Sequence, residues 1–135
     1  VASFALDVPS PHPPDRAWAR LWDLWAHTAL IPFTTVRGTA GPGARFVART
    51  ALGRWGFDDP MDVLEWDPPR HARIVKRGRV VRGTIDVVVE PDAAGGSRVR
   101  WAQEIAVAGV PSAADPVSAL IAKAAYRSVL RRLVS

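Results

Sequence analysis

Residues 79–109 read RVVRGTIDVVVEPDAAGGSRVRWAQEIAVAG, two runs of alternating apolar and polar residues around a turn. In the first, Val81, Ile85, Val87 and Val89 share one parity, and Arg82, Thr84, Asp86 and Glu90 the other. In the second, Val99, Trp101, Ile105 and Val107 oppose Arg98, Arg100 and Glu104. A period of two with one apolar side predicts strands that are buried on one face and wet on the other. The intervening PDAAGG carries turn chemistry, so the two runs form an antiparallel hairpin.

The pattern continues outward in both directions. Toward the N-terminus, PMDVLEWD and HARIVKRG are strand-like and separated by PPR, while FTTVRG and ARFVARTAL flank the loop TAGPG. SFALDV, with Phe4, Leu6 and Val8 on one side, predicts a first strand. Between it and the meander, Pro13, Pro14 and Asp15 open a helix, since proline suits the first turn and an acid there faces the positive end of the dipole. Trp18, Leu21, Trp22 and Trp25 stripe one side of that helix, opposite Arg16, Arg20, Asp23 and His27. A long helix over residues 112–133 ends the chain, with Lys123, Arg127 and Arg131 on its polar side and Leu120, Ile121, Ala124, Ala125 and Val129 on its apolar side. The expected fold is α+β. A curved antiparallel sheet of about six to seven strands wraps a long C-terminal helix, with short helical structure after the first strand, in a single domain over residues 1–135.

Composition narrows the function classes. The chain has 135 residues, 48% apolar and 23% charged, as in ordinary globular domains. The absence of cysteine excludes disulfides, thiolate metal sites and cysteine nucleophiles. No apolar run approaches the ~20 residues that span a bilayer, and no signal-peptide pattern opens the sequence, so a cytoplasmic location is expected. The net charge of +5 rests on arginine, because Lys76 and Lys123 are the only lysines. Together with abundant Ala, Gly, Pro and Val, this is the usage of a GC-rich genome.

PPDRAWARLWDLWAHTALIP, GPGARFVARTALG and MDVLEWDPPRHARIV, in this order, resemble the START/birch-pollen-allergen-like superfamily, also called SRPBCC or polyketide cyclase/dehydrase. The resemblance covers nearly the whole chain, and the DPPR turn is its most telling part. It implies a helix-grip fold with a cavity between sheet and C-terminal helix. It supplies no catalytic residue, because that superfamily shares no catalytic motif.

On this reading the protein binds a small hydrophobic or aromatic molecule, lipid or polyketide-like, and needs no cofactor or metal. Trp18 and Trp22 are expected in the core. Trp25, at the helix end, is assigned to the cavity mouth. Phe33, Phe46, Trp66, Trp101, Gln103, Ile121, Ala125 and Tyr126 complete the expected lining. Gln103, an amide on a buried face, needs a partner, from a neighbour or a ligand. Tyr126 offers a hydroxyl handle.

Glu65 is expected in solvent, with Leu64 and Trp66 inward. GFDDPMD gathers three acids without the spacing of a calcium loop, and its Asp-Pro is expected to start a turn. An aromatase/cyclase-type enzyme is the alternative, with Glu65 and His71 as acid–base candidates if the register turns them inward. A lesser alternative is anionic-surface or nucleic-acid binding through the basic hairpin 70–82, where Arg70, His71, Arg73, Lys76, Arg77, Arg79 and Arg82 cluster. Without interleaved aromatics nucleic acid is disfavoured there, leaving weak contact with an anionic membrane.

Overall fold

The computed structural model describes residues 2–24, 26 and 33–135. Seven strands form one sheet: β1 (Ala2–Ser10), β2 (Thr34–Arg37), β3 (Arg45–Leu52), β4 (Trp55–Asp67), β5 (His71–Arg77), β6 (Val81–Pro91) and β7 (Ser97–Val107). Their order is β1-β7-β6-β5-β4-β3-β2, every neighbouring pair antiparallel. Helix α1 (Pro14–Leu21) follows β1, and helix α2 (Asp115–Val134) closes the chain after a short 3-10 turn at Ser112–Ala114. This is the helix-grip arrangement expected from the sequence.

Alternation turns into layers as the period-two rule requires. Phe4, Leu6 and Val8 of β1, Ile85, Val87 and Val89 of β6, and Val99 and Trp101 of β7 are buried on the inner face. The β6–β7 approach is close at Gly83, whose φ is 148°. A Cβ there would sit 1.8 Å from the carbonyl oxygen of Glu104, so only glycine fits the ladder.

Two expectations about β4 change. GFDDP continues the strand instead of turning, and Pro60 is tolerated because pairing with β5 starts only at Met61. A bulge between Val63 and Glu65 puts Leu64 on the outside at 51% exposure, with Glu65 beside it. The extra residue changes parity, so Val63 and Trp66 both reach the interior although they are three apart.

Helix α2 is phased differently from its sequence reading. Its inner side is Ala122, Tyr126, Val129, Leu130 and Leu133, whereas Leu120 and Ile121 are 72% and 66% exposed and Ala124 and Ala125 face solvent. The C-terminal turn sets this phase. Ser10 Oγ donates to the carbonyl of Val134, and Arg20 Nε donates to that of Leu133 at 2.9 Å. His12 Nε2 lies 3.0 Å from the Ser135 carbonyl. Carbonyls that a helix end leaves open are thus taken up by β1, α1 and the turn between them.

Trp18 of α1 is 6% exposed and meets Trp66 edge-on with ring centroids 5.0 Å apart. Trp22, at the helix end, touches both rings at 5.7 and 5.3 Å. The tryptophan helix is therefore pinned to β4 by three mutually tilted rings.

Candidate functional site

Between the concave face of the sheet and α2 lies a cavity of about 210 Å³. Its floor is built by strand parity: Val36 from β2, Phe46 and Ala48 from β3, Met61 from β4, Ile74 from β5, Ile85 from β6, Trp101 from β7. Tyr126 of α2 forms one wall, its ring 5.7 Å from both Phe4 and Trp101. Trp22 and Leu24 close the side beneath the first helix.

One part of this apolar wall is ionic. Lys76 sits at the end of the inward row Ala72, Ile74, Lys76, and Asp59 at the start of the inward row Asp59, Met61, Val63. Lys76 Nζ donates to Asp59 Oδ2 at 2.6 Å, with side chains only 5% and 12% exposed. The Tyr126 hydroxyl lies beside the same ammonium. Burial pulls the Lys76 pKa down, but Tyr126 and Asp59 outweigh it, and the net pKa lies above the ordinary 10.5. The lysine is therefore an ammonium at neutral pH.

Three buried polar atoms have no protein partner among the described residues: Asp59 Oδ1, Trp22 Nε1 and Gln103 Nε2. The first two belong to cavity-lining residues. Unpaired buried donors and acceptors are rare in folded proteins, because each forfeits its hydration without return.

The model of the family described as "Polyketide cyclase / dehydrase and lipid transport" matches residues 1–135. The chain belongs to this family. Solved structures agree on the fold. Protein CV1439 from Chromobacterium violaceum is 15% identical, with a TM-score of 0.75 over 99% of this chain and 96% of that one. Ara h 8.0201 is 14% identical, TM-score 0.70, covering 97% and 96%. TTHA0849 from Thermus thermophilus is 19% identical, TM-score 0.66, covering 97% and 90%. No curated protein matches the chain in sequence.

Within this family framework the expected lining residues separate. Phe46, Trp101 and Tyr126 meet at the cavity. Gln103 is buried next to it, its Oε1 accepting from Trp101 Nε1 at 3.0 Å, so its partner is a neighbouring side chain. Trp66 packs on Trp18 and Trp22 rather than on the cavity wall. Phe33 is 65% exposed, and Ile121 and Ala125 lie on the outer side of α2. Trp25 lies outside the described residues. Trp22, expected in the core alone, lines the cavity as well.

The acid–base candidates of the enzyme alternative do not reach the cavity. His71 alternates with inward Ala72 and so stands on the outer face, 3.4 Å from Glu65 and 3.0 Å from Asp86.

The basic hairpin is also less basic than its sequence. Arg70 pairs with Asp67, Arg73 with Asp86 and Arg77 with Asp62, all across or beside the sheet. Lys76 is turned inward to Asp59. Of the seven, only Arg79 and Arg82 point to solvent with no acid beside them in the described structure. Sequence clustering missed this because the neutralising acids lie on adjacent strands. Among the described residues no helix is long and apolar enough to cross a membrane.

The cavity-lining pair missed by the sequence reading is Asp59–Lys76. Its signal was present in strand parity, since Lys76 shares the side of Ala72 and Ile74.

Proposed function

We propose that this protein is a cytoplasmic binder of one compact, predominantly apolar molecule, held between the sheet and α2. The observation that carries this is the 210 Å³ cavity, walled by Phe46, Met61, Ile74, Trp101 and Tyr126 and interrupted by the Asp59–Lys76 ion pair. A cavity of about 150 Å³ accepts benzene, and sites for drug-sized ligands run to roughly 300–1,000 Å³. The volume thus favours a polyketide-like ring compound of one or two rings over a long acyl chain. Membership of a polyketide cyclase/dehydrase and lipid transport family supports the same reading, while fold alone would not.

Calorimetric titration of the full chain with naphthalene tests it. Saturable one-to-one binding is the expected result. Absence of saturable uptake of naphthalene and of its hydroxyl and carboxylate derivatives would overturn the proposal.

A further inference from the structure

The cavity holds more than an apolar volume, and its polar atoms specify what the ligand must carry. Asp59 is 8% exposed, and of its two carboxylate oxygens Oδ2 is engaged by Lys76 while Oδ1 has no partner among the described residues. A carboxylate oxygen accepts only, so the missing partner is a donor. Trp22 Nε1, likewise buried and unpartnered on the same cavity's wall, donates only, so its missing partner is an acceptor. A hydroxyl group has both capacities.

Charge adds a second restriction. Among the described residues the titratable groups lining the cavity are Asp59, Lys76 and Tyr126, and the first two neutralise one another. A ligand carboxylate or ammonium would enter a desolvated space with no counter-charge left to meet it.

We propose that the cavity selects uncharged, hydroxyl-bearing ring compounds, the ligand hydroxyl donating to Asp59 Oδ1 while oxygen on the ligand faces the donors of the wall. This rests on the binding reading above and names the ligand class of that site.

Three probes of one shape separate the two levels: naphthalene, 2-naphthol and 2-naphthoate, titrated at neutral pH into the full chain by calorimetry. The expected order is 2-naphthol about tenfold or more tighter than naphthalene, since a hydrogen bond to a charged acceptor is added, with 2-naphthoate the weakest. In D59N the Lys76 ammonium loses its counter-charge, so 2-naphthoate should gain at least about tenfold while 2-naphthol weakens. Naphthalene binding as tightly as 2-naphthol, or 2-naphthoate binding best to the wild type, would overturn this inference and leave the apolar-cavity reading standing. Failure of all three to bind would remove both. Should D59N not fold, the wild-type order decides the question.

Discussion

Lys76 and Asp59 are polar residues at positions that strand parity assigns to the interior, and the structure keeps them there as a 2.6 Å pair. Removing one partner strands the other as an unpaired buried charge. K76M should therefore cost about 3–5 kcal/mol, whereas D59L/K76M, which removes both charges, should recover most of that loss in urea denaturation. The pH dependence follows from the raised Lys76 pKa. Because the folded value lies above the unfolded 10.5, the contribution of this group is complete below 10.5 and is lost as pH climbs through the folded value. Denaturation midpoints of the wild type, relative to D59L/K76M, should stay level from pH 7 to 10 and fall beyond. Gly83 is decided just as locally: a methyl group would overlap the Glu104 carbonyl, so G83A should lose at least about 2 kcal/mol by the same measurement. Nothing in the run VVRGTID distinguishes Gly83 from a neutral spacer, because the clash is with a residue 21 positions away.

At the scale of elements, the strands were legible and the helix phase was not. The alternation of β1, β6 and β7 appears in the structure as alternating burial, because a strand in a sheet with one covered face has only two sides to choose from. Helix α2 carries apolar residues around much of its circumference, so its periodicity leaves several orientations open. Contacts of its last turn with Ser10, His12 and Arg20 select one. L130A, at a fully buried position, should destabilise by about 2–5 kcal/mol, while I121A should stay within about 0.5 kcal/mol in chemical denaturation. A reversal of that ranking would mean the helix is turned to the face its hydropathy suggested. The bulge in β4 is a second case. One unpaired residue moves Leu64 outward and Trp66 inward, and no residue in VLEWD signals it.

At the scale of the molecule, sheet and helix enclose the cavity together, so filling it should abolish uptake without dividing the domain. A48F, placed on the floor of β3, should lose naphthalene binding yet unfold in a single transition that coincides by tryptophan fluorescence and far-UV circular dichroism. Split transitions would mean that α2 and the sheet are separable units. By itself, the sequence determined the antiparallel meander, its buried face with Phe46 and Trp101 on it, and, through the order of its motifs, the helix-grip class. These follow from period, turn chemistry and motif order, which act over a few neighbouring residues. Only the tertiary structure decided that Trp22 serves the cavity as well as the core, that most of the basic hairpin is neutralised, and that Asp59 meets Lys76 across two strands. The physical reason is common to all three. Charge pairing and enclosure depend on which strands become neighbours and how the helix is turned, and these are properties of the assembled layers.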